Sequence, residues 1–203
     1  NAGGASSSPA AVKYTLAVTP GAVSFNNVWQ SSVTINIAAD TNPAGTQYNV
    51  EASTGVNGGY GVIYTGSYIS SLSHVGLSAN TTYYYRANAL NGNGIASAYD
   101  AEITTHSRSE VPGAVTFGGV WQSSVTVNIA ADSNPSGTQY NVEASTGNNA
   151  SYGVIYTGNY TASITHIGLS LNTTYYYRVR AKNIDNVWTS YNSANNTHTL
   201  AAV

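Results

Sequence analysis

The chain contains no cysteine and no methionine, and its 203 residues include only six basic and eight acidic side chains. Without cysteine, disulfide bonds, zinc–thiolate sites and cysteine nucleophiles are excluded. A net charge of -2, with charged residues at 7%, leaves no basic face that could neutralise phosphates or dock on an anionic membrane. We therefore expect no nucleic-acid partner.

Long apolar runs are also absent. No stretch of about 18 apolar residues occurs, so we expect no membrane insertion. Low charge can indicate disorder, but an apolar content of 42% and seventeen tyrosines supply the core material that disordered chains lack. The chain is expected to fold.

The sequence repeats itself. Residues 20–106 and 112–198 align without a gap at an offset of 92 and are identical at 56 of 87 positions. Identity reaches 53 of 72 positions over residues 20–91 and falls to 3 of 15 over residues 92–106. The two copies therefore share a scaffold and differ near its end.

The segment before the first repeat has two parts. Residues 1–10 are small and polar, which is typical of a flexible leader. Val12, Tyr14 and Leu16 then alternate with Lys13 and Thr15, and this period of two predicts an extra strand outside both repeats. The predicted division is a leader with an extra strand followed by two domains, over residues 1–19, 20–107 and 112–203.

Each repeat shows short bursts of the same period between turn residues. Val33 and Ile35 alternate with polar residues, and the DTNPAG sequence that starts at Asp40 then supplies a turn. Seven such strands can be counted in each repeat, and no helical period appears. This pattern predicts an all-β fold of two tandem seven-stranded antiparallel sandwiches of the immunoglobulin-like kind.

Two motifs that recur in both copies resemble fibronectin type III domains. NTTYYYR, which starts at Asn80 and again at Asn172, resembles their E to F corner and F strand, and the NPAGTQYNVEAST sequence at Asn42 resembles their B to C turn and C strand. The resemblance implies that Tyr83 and Tyr175 place their rings in the core and bond their hydroxyl groups to nearby backbone.

The sequence departs from the fibronectin type III pattern at one core position. The family usually carries a tryptophan inside strand B, where this chain has Ile37 and Ile129. Alternation along strand F would bury Tyr85 and Tyr177. The usual aromatic anchor of the core is therefore replaced.

Catalytic and metal chemistry find little support in the sequence. No pair of carboxylates suited to acid–base catalysis emerges, and Glu51 and Glu143 are expected on a solvated strand face. None of the histidines has a partner at the spacing that metal sites commonly use; they are His74, His106, His166 and His198. We expect no enzyme, no metal and no cofactor.

The three tryptophans are the candidate ligand or interface residues. Sugar sites need exposed aromatic rings beside amide or hydroxyl groups, and alternation directs Trp29 and Trp121 outward. The alternative is that these indoles cover a sandwich edge or pack between repeats. Trp188 stands in the diverged F to G loop of repeat two, a loop type that often carries binding residues.

Five sequons make candidate glycosylation sites. Two of them fall within the corner motif, and two lie in a turn-rich part of repeat two where repeat one has no sequon. The five asparagines are Asn80, Asn149, Asn159, Asn172 and Asn195.

The two ends of the sequence match each other. Thr15-Leu16-Ala17 recurs 184 residues later, at twice the repeat offset, as Thr199-Leu200-Ala201. This match indicates a unit that continues head to tail. One hypothesis is that residues 11–18 of one molecule add to a sheet edge of the next and supply Val12, Tyr14 and Leu16. The other is that this segment packs on its own repeat.

The sequence thus predicts a non-enzymatic extracellular or cell-surface protein. The first function to consider is a structural subunit or segment of a filament, sheath or adhesin, with the chain itself as partner. The alternative is a carbohydrate-binding or adhesive accessory module, with glycans as partners and the tryptophans as platforms.

Overall fold

A computed structural model describes residues 12–148 and 151–202 of the chain. Its described part is all-β. The strands of repeat one are β1 (Ser24–Asn26), β2 (Ser32–Asn36), β3 (Gln47–Ser53), β4 (Gly61–Ser67), β5 (Ser71–Val75), β6 (Thr82–Leu90) and β7 (Ile103–His106). Those of repeat two are β8 (Thr116–Val120), β9 (Ser124–Asn128), β10 (Gln139–Ser145), β11 (Gly153–Asn159), β12 (Ser163–Ile167), β13 (Thr174–Lys182) and β14 (Asn195–His198).

Each repeat forms one three-stranded and one four-stranded sheet. In repeat one the strand orders are β1-β2-β5 and β4-β3-β6-β7, and in repeat two they are β8-β9-β12 and β11-β10-β13-β14. The prediction of two tandem seven-stranded antiparallel sandwiches is confirmed. No helix in the described residues is long and apolar enough to cross a membrane.

The strand register explains which side chains enter the core. In repeat two, β10 pairs with β13 so that Val142 lies opposite Val179 and Tyr140 opposite Ala181. All four side chains are buried in one cluster, because residues two apart share a face of the sheet. The core therefore follows directly from the alternation in the sequence.

Tyrosine supplies much of the core volume. Tyr48 and Tyr85 are fully buried in repeat one, as are Tyr140 and Tyr177 in repeat two. Each ring removes a large apolar area from water. The predicted burial of Tyr85 and Tyr177 is confirmed, and isoleucine is buried at both positions where a tryptophan is usual, Ile37 and Ile129.

The predicted tyrosine corner is present in both repeats. The backbone N–H of Ser78 donates to Tyr83 Oη over 2.8 Å, and that of Ser170 donates to Tyr175 Oη over 3.0 Å. These bonds fix the turn that leads into β6 and β13.

The extra N-terminal strand is the part of the predicted fold that is wrong. Residues 12–22 form no strand, and Val12, Tyr14 and Leu16 are exposed. Alternation makes a segment suitable for a sheet, but a strand forms only where an edge offers backbone partners. Here asparagine side chains bond the segment instead. The predicted leader, residues 1–10, lies outside the described residues.

Packing divides the chain into two compact units. The first takes the described residues up to Ser24 together with Ile35–Leu72 and Tyr84–Ile103. The second takes Phe25–Thr34, Ser73–Tyr83 and the chain from Thr104 onward. The division into domains at residues 107 and 112 stays a prediction.

Candidate functional site

Two segments occupy equivalent places, one in each unit. We call residues 12–18 the entry segment and residues 104–110, which lie 92 positions later, the connector. The entry segment contacts repeat one within the first unit, and the connector contacts repeat two within the second. Their contacts match position by position.

The first match involves an asparagine of the B to C turn. Asn42 Oδ1 accepts from the N–H of Val18 over 2.8 Å, and Asn42 Nδ2 donates to the Val18 carbonyl over 2.8 Å. Asn134 makes the same two bonds to Glu110, over 2.8 and 3.0 Å. A side-chain amide that donates and accepts at one residue fixes that residue's position and direction.

The second match involves the asparagine at the start of the F to G loop. Asn91 Nδ2 donates to the Thr15 carbonyl over 3.0 Å, and Asn183 Nδ2 donates to the Ser107 carbonyl over 3.5 Å. Both asparagines also bind their own loop, because Asn91 Oδ1 accepts from the N–H of Ile95 and Asn183 Oδ1 from that of Val187.

The third match is a side chain that rests on the same loop. The Tyr14 ring lies so close to the backbone of Gly92 that a Cβ there would overlap it. His106, the equivalent of Tyr14, forms a 2.7 Å contact with Asp185. The repeats diverge in the F to G loop. The residue that contacts this loop also differs, from Tyr14 in the entry segment to His106 in the connector.

The entry segment and the connector differ in the surroundings of one hydroxyl group. Ser107 Oγ donates to the Ser78 carbonyl over 2.6 Å, and Thr199 Oγ1, its equivalent in repeat two, donates to the Ser170 carbonyl over 2.7 Å. Both residues are 0% exposed. Thr15 is the third equivalent residue, and it is exposed. Among the described residues no corner precedes Thr15, so its hydroxyl has no equivalent of the Ser78 or Ser170 carbonyl.

Apolar side chains are exposed in the entry segment and at the far end of repeat two. Val12, Tyr14 and Leu16 of the entry segment are 67%, 52% and 72% exposed. At the far end of repeat two, Leu171 and Leu200 are exposed as well. Exposed apolar clusters commonly mark interaction surfaces.

The tryptophans do not form one row. Trp29 and Trp188 line a common cavity of about 440 Å³ in the second unit, together with Gln30 and Arg108. The Arg108 guanidinium lies 5.2 Å from the centre of the Trp29 ring. Ser109 also lines the cavity, and its buried Oγ has no hydrogen-bond partner among the described residues.

Trp121 stands apart from that cavity. It is exposed, as alternation predicts, and its indole lies against Gly119, where a Cβ would overlap the ring. The Trp121 carbonyl accepts from the N–H of Leu200 over 3.1 Å, just as the Trp29 carbonyl accepts from that of Arg108 over 3.2 Å. Both tryptophans therefore mark the end of their repeat.

The expectation of solvated strand glutamates is wrong. Glu51 is buried and pairs with Arg86 over 2.7 Å, and the Arg86 guanidinium lies between the rings of Tyr60 and Tyr99, 3.8 and 3.9 Å from their centres. Burial raises the pKa of Tyr60 to about 12, and a hydrogen bond to Glu102 adds to the rise. The rings shield the ion pair from water.

Repeat two carries the same cluster. Arg178 pairs with Glu143 over 2.7 Å and lies between Tyr152 and Tyr191, 3.9 and 4.0 Å from their ring centres. Sequence reasoning missed both clusters because their members come from different strands and loops, and the second tyrosine of each lies 48 residues from the glutamate. We interpret them as structural.

Most candidate glycosylation asparagines are engaged in the fold. Asn80 Nδ2 donates to Thr138 Oγ1 over 2.8 Å, Asn195 Nδ2 donates to the Val115 carbonyl, and Asn172 Oδ1 interacts with His198. Asn159 ends β11 and is exposed. Asn149 lies outside the described residues, and modification at each of the five stays a prediction.

The histidines serve hydrogen bonding and packing. His166 Nδ1 lies 3.2 Å from Tyr177 Oη, and its ring stands edge-on to Tyr175 and Tyr177. Burial lowers the pKa of both His166 and His74. Within residues 12–148 and 151–202, no group of three or more histidine or acidic side chains could hold a metal ion.

Comparison with known proteins shows the fold. No protein-family model and no curated protein matches the chain. A two-domain fibronectin type III segment of chicken tenascin matches its structure with a TM-score of 0.62 and 13% identity, over 90% of this chain and 100% of that one. The FN1–FN3 domains of chicken CNTN1 match with a TM-score of 0.47 and 14% identity, over 90% and 67%. The chain has the fold of tandem fibronectin type III domains.

Proposed function

We propose that this chain is a non-enzymatic structural protein that assembles head to tail with copies of itself into an extracellular filament, sheath or surface adhesin. The observation that carries the proposal is the match between the entry segment and the connector. Residues 12–18 lie on repeat one as residues 104–110 lie on repeat two, and this likeness supports an assembly in which the first repeat follows another sandwich.

The chemistry of the two ends supports the same function. The connector carries Arg108 and Glu110, whereas the entry segment has Leu16 and Val18 at those positions. Apolar side chains in place of charged ones favour an association that removes them from water. The low overall charge adds little repulsion between copies.

Sedimentation velocity over a range of concentrations tests this function. The full chain should form species larger than a monomer in growing proportion as the concentration rises. A variant without residues 1–18 should stay monomeric, while a matched variant without residues 1–11, which keeps the entry segment, should assemble like the full chain. Equal assembly of both variants would remove the entry segment from the proposal.

A second function, saccharide binding, is favoured by the Trp29–Trp188 cavity. Two indoles, the Gln30 amide and the Arg108 guanidinium meet there with the Ser109 hydroxyl, which has no partner in the described part of the chain. Sugars need aromatic faces for stacking and polar groups for their hydroxyls. A sugar at this cavity would serve an adhesive module.

A glycan array read with the full chain separates the two functions. Saccharide binding predicts signals that are lost in the Trp188→Ala variant and kept in the Trp121→Ala variant, because Trp121 lies outside the cavity. The absence of any glycan signal from the full chain would reject this second function and leave the assembly proposal intact.

A further inference from the structure

Three segments of the chain hold equivalent positions at the offset of the repeat. They are the entry segment, the connector and residues 196–202, which we call the exit segment. The connector serves two sandwiches at once: its Ser107 hydroxyl closes the corner of repeat one, and its Ser107 carbonyl accepts from Asn183 of repeat two. The entry segment makes the carbonyl contact alone, and the exit segment makes the hydroxyl contact alone.

These two contacts lie in segments at different ends of the described chain. Thr15 offers its carbonyl to Asn91, and the residue is exposed. Thr199 binds the Ser170 carbonyl and receives the N–H of Thr173 through its hydroxyl, over 2.7 and 2.9 Å. Thr15 has the same side chain as Thr199, so it can make the same two bonds at the corner of repeat two.

The neighbouring residues also correspond. Thr15-Leu16-Ala17 is identical to Thr199-Leu200-Ala201. A segment that replaced the exit segment would therefore present the same three side chains to repeat two. The N–H of Leu16 would take over the bond that the N–H of Leu200 makes to the Trp121 carbonyl.

The strand before this triplet is poorly suited to its sheet. β14 reads Asn-Asn-Thr-His and pairs with β13 so that Asn196 lies opposite Tyr176 and His198 opposite Thr174. Asparagine is disfavoured in strands, whereas valine and tyrosine are favoured. At the offset of 184, Val12 corresponds to Asn196, and a valine opposite a tyrosine is a favourable cross-strand pair.

The remaining donated residues fit the same register. Tyr14 corresponds to His198, and Lys13 corresponds to Thr197, which is partly exposed at the sheet edge. From such a position the lysine stem can cover the sheet while its ammonium group stays in water. Because Thr197 lies opposite Tyr175, which packs against the core, the lysine stem would extend along that ring to bring its ammonium group to water.

From these equivalences, and resting on the proposed function, we infer that residues 12–17 of one copy replace residues 196–201 of a second copy, pairing with β13 as its last strand. The joint between copies then reproduces the joint around the connector. The exit segment leaves the sheet, and each of its backbone and hydroxyl bonds is remade by the donated segment. The gains are the Val12–Tyr176 pair and cover for Leu171, whose equivalent in repeat one, Ala79, is buried.

The contacts around the connector also indicate one further contact that the joint between two copies would gain. Asn80, at a positive φ of 44°, donates to Thr138 Oγ1 and accepts from the N–H of Ile184. Asn172 has nearly the same φ, 47°. In the joint between copies it would face Thr46 and Gly92 of the donor copy, the equivalents of those two partners.

Cysteine pairs test this register, because the chain has no cysteine of its own. Thr174 Oγ1 lies 2.9 Å from His198 Nδ1, so the side chains at these two positions meet. The double variant Tyr14→Cys with Thr174→Cys should form disulfide-linked dimers and higher oligomers on a non-reducing gel, and reductant should return them to monomer. The matched variant Lys13→Cys with Thr174→Cys, which places the thiols on opposite faces, should not.

The outcomes separate this inference from the proposed function. If the full chain assembles in solution but the Tyr14–Thr174 pair gives no linked oligomers, strand replacement is wrong and head-to-tail assembly stands. Linked oligomers of equal yield from the Lys13 pair would also overturn the register. If the full chain is monomeric at every concentration, both proposals fail. The intrachain pair Thr174→Cys with His198→Cys checks that the sheet edge is correctly described.

Discussion

Individual side chains repeat their roles in both copies, so that each repeat is a control for the other. The tyrosine corner is the simplest case, because Tyr83 and Tyr175 each accept one backbone N–H. The bond at Tyr83 is partly buried and the one at Tyr175 is exposed. A lost bond costs more where water cannot replace it.

Removal of the two hydroxyl groups should therefore have unequal effects. We expect Tyr83→Phe to lower the free energy of unfolding by about 1–2 kcal/mol and Tyr175→Phe by less than about 1 kcal/mol. Urea denaturation followed by tyrosine and tryptophan fluorescence measures both. Tyr84→Phe, which changes the next ring along β6 outside the corner, should cost under about 0.5 kcal/mol. An equal loss in all three variants would contradict the role of the corner.

A half-buried histidine should make stability depend on pH. Burial lowers the pKa of His166 against the rings of Tyr175 and Tyr177, so the folded state binds a proton less readily than the unfolded state. The stabilisation is present above the unfolded pKa of about 6.5 and is lost as the pH falls below it.

We expect the free energy of unfolding to fall between pH 7 and pH 5, and the fall to be smaller in the His166→Gln variant. Chemical denaturation at several pH values measures the slope for both chains. His74, whose pKa burial also lowers, remains in the variant and should preserve part of the slope. A stability that rises as the pH falls over this range would contradict the partial burial of His74 and His166 as neutral groups.

At the scale of elements, alternation in the sequence predicts which segments form strands. It does not predict segments that are held by side chains distant in the sequence. Strands such as β3 and β10 could be predicted because each alternation appears twice and ends at a turn. The entry segment alternates as well, yet the amides of Asn42 and Asn91 hold it, 24 and 76 residues away from their backbone partners. No period encodes such contacts.

Contacts between residues distant in the sequence were also missed at the candidate sites. The outward direction of Trp29 and Trp121 follows from alternation, and in repeat two the preceding residue, Val120, packs against the core. That Trp29 shares a cavity with Trp188 depends on loops of different repeats meeting in the second unit. The matched asparagines offered one usable signal, because Asn42 and Asn91 recur at the repeat offset as Asn134 and Asn183.

The asparagine contacts give a prediction for the segments they hold. Asn42→Ala should release the entry segment, so that residues 12–18 exchange amide hydrogens faster while the free energy of unfolding falls by under about 1 kcal/mol, because the bonds are exposed. Asn134→Ala removes the same two bonds at a buried side chain and should cost about 1–3 kcal/mol. Hydrogen exchange with mass spectrometry and urea denaturation measure the two effects. An unchanged exchange rate at residues 12–18 would show that Asn42 does not hold them.

At the scale of the molecule, one segment contacts both repeats, whereas the entry and exit segments each contact one repeat. The connector is the completed joint. The entry segment has the contacts to a following sandwich, and the exit segment has those to a preceding one. Copies that join these halves would continue one geometry along the whole assembly.

Electron cryo-microscopy of the assembled chain tests this account most directly. We expect filaments in which residues 12–18 of one copy lie beside β13 of its neighbour, in the arrangement that the connector has between its own two sandwiches. Isolated monomers at every concentration, or filaments held by lateral contacts with the entry segment free, would contradict the account.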